Sequence, residues 1–225
     1  MRSGRFEELL VFTPGDASTS PFRWNPFQVP AGGSVQAHLD HLMTVFSASF
    51  VLYPPMPYVL ERSLHEIYED RGWLLESNTN ERGAEDERAF PTLTDLYEKI
   101  SIVVDRLGYD SHLTMDIQAG LRARVQSLRI GAKGMMLDVR SSVSFEDIMK
   151  LPVIVELRQV ASDDEKAFII GMILTRVQEH YDTLARKGLI PASAPLTHVT
   201  VLEEAHRLLR GTSAGPGGPD RADPR

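Results

Sequence analysis

No cysteine occurs among the 225 residues, which excludes disulfides and thiolate metal sites and fits a reducing cytoplasm. No apolar run reaches the roughly 18 residues that a membrane span requires. The opening Met1-Arg-Ser-Gly-Arg-Phe-Glu-Glu lacks an apolar h-region, so no secretory signal is visible. Basic charge is scarce as well. Twenty-four Lys and Arg face 31 Asp and Glu, for a net charge of −7 and a pI near 5.5. That balance gives no general affinity for nucleic acid, although a local basic rim could still exist. Three short motifs are also missing: the G-x-S-x-G elbow, the G-x-G-x-x-G dinucleotide fingerprint and the G-x-x-x-x-G-K-[ST] loop that cradles phosphates.

What is present is enough for a core. Hydrophobic residues make up 42%, charged residues 24%, and the mean hydropathy is −0.18, ordinary values for a soluble globular protein. The length suits one large domain or two modest ones. Leu9-Leu-Val-Phe12 reads as a short buried strand ending at Thr13-Pro-Gly-Asp16. Residues 17–33 form a connector rich in Pro and Gly. From Ser34 the period becomes helical, with Val35, Leu39, Leu42, Phe46 and Phe50 on one face. Pro54, Pro55 and Pro57 break that helix and start another bearing Leu60, Leu64, Ile67 and Tyr68. An exposed loop is expected over 75–91. Thr92 to Asp95 resembles a capping box opening a third helix, and a fourth carries Leu113, Ile117, Leu121, Val125 and Leu128.

The pattern then reverts. Pro152-Val-Ile-Val-Glu156 is a β-branched run typical of a buried parallel strand. Ser162-Asp-Asp-Glu165 predicts a capping box before a long helix to about Lys187, buried through Phe168, Met172, Ile173, Val177 and Leu184. A strand over 198–203 completes a βαβ unit and implies a parallel sheet. Residues 211–225 hold so much Gly and Pro that disorder is expected.

Residues 197–209 read Thr-His-Val-Thr-Val-Leu-Glu-Glu-Ala-His-Arg-Leu-Leu, so an apolar strand from Val199 to Leu202 ends in the carboxylates Glu203 and Glu204. Ligands of open α/β sheets bind beyond the C-terminal strand ends, and paired acids there suit a metal and a water. Acids also favour a helix N-terminus because of its dipole. The pair by itself leaves both readings open.

In its wider setting the segment resembles the Walker B segment of HerA-type ATPases, ring-forming DNA translocases related to FtsK-like motors. Val11-Phe-Thr-Pro-Gly-Asp16, Phe22-Arg-Trp-Asn-Pro-Phe27, Tyr53-Pro-Pro-Met-Pro57, Ala89-Phe-Pro-Thr-Leu93, Gly131-Ala-Lys-Gly134 and the Pro152–Glu156 strand resemble segments between the phosphate loop and Walker B in bacterial ATP-binding proteins of this group. The resemblance spans roughly residues 8–210. It implies an α/β fold, a partial RecA-like parallel sheet interrupted by an all-α helical insertion. Residues 1–33 would form the first strand and connector of the ATPase core, 34–133 the helical insertion, 134–210 a βαβ unit ending in Walker B, and 211–225 a disordered tail.

Carried over by position, Glu203 matches the magnesium-associated acid and Glu204 the catalytic glutamate that polarises the attacking water. Most P-loop ATPases have Asp at the first position, and Glu reaches one methylene farther, a change that a water-mediated metal contact accommodates. His206 either senses the γ-phosphate or caps the following helix, with capping favoured. In intact relatives the cofactors are Mg2+ and ATP, and the partners are double-stranded DNA and the other subunits of a homo-hexamer.

The departures concern the nucleotide. The family's first strand and phosphate loop should precede residue 1, and further strands should follow residue 210. Gly131-Ala-Lys-Gly134 is no substitute, because its lysine follows Ala132 and no Ser or Thr comes after it. Without a cradle, neither Mg2+ nor ATP is expected to bind tightly, and no ATPase activity is expected from the chain alone. The chain reads as a fragment of a translocase or helicase-type motor. Two alternatives are half of a split ATPase completed by a partner chain that supplies the phosphate loop, and a non-catalytic interaction module.

Three further features receive plainer readings. His38-Leu-Asp-His41 offers two imidazoles on one helical turn, but no third ligand follows at a recognisable spacing, so a solvated face is expected rather than a metal site. Glu156 reads as a solvated strand-end acid. The Arg122–Arg129 stretch reads as a solvated basic face in preference to one that meets DNA or a neighbour's phosphate.

Overall fold

The computed structural model describes residues 9–14, 16, 22–83, 86–190 and 196–205. Two units are distinguished, Met1–Pro191 and Ala192–Arg225. In the first, β1 (Leu10–Phe12) leads to a connector that buries Phe22, Trp24, Phe27 and Val29. Asn25 holds that connector inside the core. Its amide donates to the Pro91 carbonyl at 2.8 Å and accepts from the Phe27 N–H at 2.9 Å.

α1 (Val35–Ser49) begins where the Ser34 hydroxyl accepts from the Ala37 N–H, and it buries Val35, Leu39, Leu42 and Phe46. α2 (Met56–Glu69) carries Pro57 in its first turn, where a missing N–H is harmless, and buries Leu60, Leu64, Ile67 and Tyr68. The Tyr68 hydroxyl donates to the Phe27 carbonyl at 2.5 Å, tying α2 to the connector.

The expected loop over 75–91 holds more order than its polar composition suggests. β2 (Trp73–Leu74) and β3 (Thr79–Asn80) pair antiparallel, and a 3₁₀ turn follows at Glu87–Ala89. Trp73 is the anchor. Its indole N–H donates to the Ala89 carbonyl at 2.6 Å and its ring lies 5.5 Å from that of Phe90. Strands of two residues are too short to leave a periodic signal.

α3 (Leu93–Leu107) starts with the complete capping box of Thr92 and Asp95 and stops at Gly108, whose φ of 66° an L side chain would resist. α4 (Ser111–Arg129) packs along α3, and α5 (Gly131–Leu137) and α6 (Phe145–Ile148) follow. β4 (Val153–Val155) lies parallel to β1, with Val11 opposite Ile154. α7 (Asp163–Arg186) ends the unit. The fold is therefore mixed α/β: a short two-stranded parallel sheet, mostly helices, in the manner of a partial RecA-like domain. Among the described residues no helix is long and apolar enough to cross a membrane.

Two details of α7 differ from expectation. Ser162 does accept from the Glu165 N–H, but the Glu165 carboxylate turns to Lys133 at 2.5 Å, so only half of the box forms. An ion pair with a mostly buried lysine competes successfully with the cap. The buried stripe also continues from Phe168 and Met172 through Thr175, Glu179 and Thr183, not through Val177 and Leu184. α1 covers this stripe, with Phe46 and Phe168 ring centroids 4.8 Å apart. Gly171 permits the approach, because a Cβ there would lie 3.0 Å from Val45 Cγ1.

In the second unit, residues 196–202 form no strand, which corrects the expectation for Val199–Leu202. Val199 and Val201 are 65% and 78% exposed, so neither a buried face nor a ladder fixes the backbone there. Residues 206–225, with His206 and the Gly/Pro tail, lie outside the described residues.

Candidate functional site

Glu203 and Glu204 sit side by side in a turn, both exposed. Glu204 has φ 52°, in the left-handed region, which costs an L residue about 1–2 kcal/mol. Among the described residues the other non-glycine with positive φ is Asn78, whose side chain bonds the Val35 N–H and the Gly33 carbonyl. Upstream, His198 Nε2 lies 2.7 Å from Thr200 Oγ1. Mg2+ keeps several waters and takes one or two carboxylates plus substrate phosphates. Exposed acids at Glu203 and Glu204 suit that mode. Among the described residues no group of three His, Cys, Asp or Glu forms an all-protein metal cage.

The C-terminal end of the parallel pair carries Thr13 and Glu156. The Thr13 hydroxyl donates to Glu156 Oε2 at 3.2 Å, and Arg158 approaches the same oxygen at 3.5 Å. Glu156 is thus partnered, beyond the solvated acid expected. Lys133 of the Gly131–Gly134 segment is committed to Glu165.

The basic stretch of α4 also differs from expectation, because its arginines are bound to the fold. Arg122 and Arg129 stack on Tyr97 at 4.1 and 4.6 Å from the ring centroid. Arg129 Nε donates to Asp138 at 3.1 Å, and Arg124 donates to the Gly120 and Val51 carbonyls. The stretch builds the α3–α4–α5 junction more than it offers a basic face.

The largest departure concerns His38 and His41. His38 is 1% exposed, not solvated. Its Nδ1 lies 2.8 Å from Glu179 Oε1 and its Nε2 3.0 Å from the Pro26 carbonyl oxygen. His41 Nδ1 stands 3.2 Å from the same Glu179 oxygen, and Arg176 Nη1 lies 3.9 Å from Glu179 Oε2. Burial pushes the Glu179 carboxyl up, but the bonds from His38 and His41 and the charges of His38 and Arg176 outweigh it, leaving the group below its ordinary value. Burial brings Arg176 down to about 10 against the opposing pull of Glu179 and Glu146. Glu179 went unrecognised in the sequence, where it is one acid on a long helix. Its signal is its place on the stripe 168, 172, 175, 179 and 183.

Comparison with known protein families gives no match, and comparison with curated proteins gives none. Among solved structures the chain is similar to VirB4 of Thermoanaerobacter pseudethanolicus, with a TM-score of 0.55 and 22% identity. The match covers 80% of this chain and 62% of that one, so the chain spans about three fifths of the length of VirB4. At this identity the likeness is one of fold alone.

Proposed function

We propose that the chain is the Walker B part of a HerA-type P-loop motor, with Glu203 as the magnesium acid and Glu204 as the residue that orients the attacking water. The observation that carries this reading is the acid pair that ends Val199-Thr-Val-Leu202, in a chain whose fold resembles that of VirB4. Bound MgATP would supply the electrophilic γ-phosphate and the metal's charge. Glu203 would hold that ion through water, its side chain being one methylene longer than Asp. Glu204 would accept a hydrogen bond from the attacking water and take up its proton as the γ-phosphoryl group passes to that water and ADP leaves with the bridging oxygen. Neither acid can replace the backbone N–H groups and lysine that grip the β- and γ-phosphates. The 225 residues therefore do not hydrolyse ATP by themselves, and a phosphate loop is supplied from outside them. In the assembled motor the hydrolysis drives double-stranded DNA through a homo-hexameric ring in the cytoplasm.

Phosphate release tests both parts. The purified chain should be inactive. Co-expression with a strand–loop–helix polypeptide bearing G-x-x-x-x-G-K-[ST] should produce turnover that Glu204→Gln lowers by about 10²–10⁴-fold. Turnover by the chain alone that disappears in Glu204→Gln would overturn the inactivity. Complemented turnover that ignores Glu204→Gln would overturn the role of that acid.

A further inference from the structure

α4 carries two apolar stripes, although one is enough to join the core. Ile117, Leu121, Val125 and Leu128 are buried. Met115, Ala119 and Ala123, spaced four apart on another face, are exposed, Met115 at 57%. With Tyr97 of α3 they line an open groove of about 470 Å³ flanked by Gln118 and Gln126. Arg122 is the one charged residue in its lining. The Arg122 guanidinium stands 4.1 Å from the Tyr97 ring centroid and that of Arg129 stands 4.6 Å from it, so two cations share one ring. The carboxylate of Asp138 is already engaged. It accepts from the Thr94 N–H at 2.8 Å, the Thr94 hydroxyl at 2.6 Å and Arg129 Nε at 3.1 Å. Arg124 directs its donors to the Gly120 and Val51 carbonyls. Arg122 has no carboxylate partner among the described residues, and its buried Nε has no acceptor. Gln118 donates to Asp105 at 2.7 Å, and Gln126 accepts from Arg129 at 2.9 Å, which leaves the Gln126 N–H groups as donors. The groove thus offers apolar surface, donors and one uncompensated positive charge.

We propose that the α3–α4 groove is a docking site for an acidic amphipathic helix of a partner protein. The partner's apolar side chains cover Met115, Ala119 and Ala123, and its carboxylate pairs with Arg122. Charge complementarity selects the carboxylate. A guanidinium already held over a ring is pre-organised for such a pair, so little further ordering is needed when it forms. The shape selects a helix. From Met115 to Gln126 the groove follows α4 for about 16 Å, three turns. The small side chains of Ala119 and Ala123 let a second helix axis approach to about 8–10 Å. Met115 is unbranched and adapts to the residue that meets it. One lining cation, in a chain of net charge −7, does not follow a run of phosphates.

The probe is a synthetic helix about 15 residues long, with Leu along one face and Glu beside it. Its twin carries Lys in place of every Glu. Titrated into the full chain labelled with carbon-13 at Met and Ala methyls, the Glu helix should move the signals of Met115, Ala119 and Ala123. It should saturate with a Kd below about 100 μM, and the Lys helix should bind about tenfold more weakly or worse. Arg122→Gln should weaken the Glu helix by about tenfold, the loss of one charge-assisted bond. Arg122→Glu should reverse the preference between the two helices. Ala123→Gln, at an exposed helical position, keeps the fold and should weaken the Glu helix by filling the hollow. No saturation by about 1 mM, equal binding of the two helices, or binding that ignores both Arg122→Gln and Ala123→Gln overturns the proposal. A double-stranded DNA oligonucleotide that moves the same signals at lower concentration than the Glu helix overturns it too, in favour of a nucleic-acid surface.

Discussion

Phe168→Ala tests whether the α1–α7 interface has the geometry described. Phe168 is 0% exposed, and its ring centroid lies 4.8 Å from that of Phe46 and 6.2 Å from that of Phe50. Removing a buried phenyl ring costs about 3–5 kcal/mol through lost transfer energy and the cavity left behind. Contacts with two aromatic neighbours place the value toward the upper end, since each such pair adds about 0.5–1.5 kcal/mol. Alanine's better helix propensity returns roughly 0.5 kcal/mol. The net expectation is a loss of about 4 kcal/mol, a large share of the 5–15 kcal/mol that stabilises a typical domain.

Urea unfolding followed by fluorescence of Trp24 and Trp73, both buried, and by far-UV circular dichroism measures this. With a slope of about 2 kcal/mol per molar, the midpoint should fall by about 2 M. Leu174→Ala on the same helix is the control. Leu174 is among the exposed apolar residues, so its loss should cost less than about 1 kcal/mol. A Phe168→Ala midpoint within about 0.5 M of wild type at unchanged slope, or equal losses in the two variants, would refute the assignment of the α7 buried face.

Three further outcomes follow from local geometry and charge. A Cβ at Gly134 would stand 1.9 Å from the Arg129 carbonyl oxygen, so Gly134→Ala must displace the α4–α5 junction and should cost about 2 kcal/mol or more in thermal melts. Gly108, at φ 66° with open space around it, should cost only about 1 kcal/mol on replacement by Ala, from backbone strain alone. Burial pushes the Glu66 carboxyl up, but bonds from Arg106 and Arg62 and the charges of Arg106 and Lys99 bring it below its ordinary value. A depressed carboxyl stabilises the fold above the unfolded value, about 4.3, and that stability is lost as pH falls through the folded value. Acid titration of stability should therefore show a shallower acid limb in Glu66→Gln than in the wild type.

The helices were legible because each signal was local. Ser34, Thr92 and the residues spaced three and four apart after them sit within one or two turns of what they specify, and α1, α2, α3 and α4 follow those cues. β1 and β4 were legible as short apolar runs, although 143 residues separate the Thr13 and Glu156 that meet at their ends. The hairpin at Trp73–Asn80 was not, because two residues per strand carry no period and its anchor is one indole finding one carbonyl. The strand expected at Val199–Leu202 fails for a related reason. An alternating apolar pattern states a preference, and only a neighbouring strand turns that preference into a ladder.

The acids and the imidazoles were readable to opposite extents. Glu203 and Glu204 stand out by the order of residues around them, so the role proposed for them rests on adjacency, and the fold adds chiefly the left-handed turn at Glu204. Glu179 has no motif. Hydrophobicity counts residues one at a time and so prefers Val177 and Leu184 for the buried face of α7, while the helix buries Thr175, Glu179 and Thr183. Burying a lone carboxylate is prohibitive, but burying one against two imidazoles and a guanidinium is not. The missing information was therefore a pairing across 141 positions, which no single-residue scale contains. A polar residue on the apolar stripe of a helix is better read as evidence of a distant partner than as an interruption. His38 and Glu179, each on the buried stripe of its own helix, are such a pair.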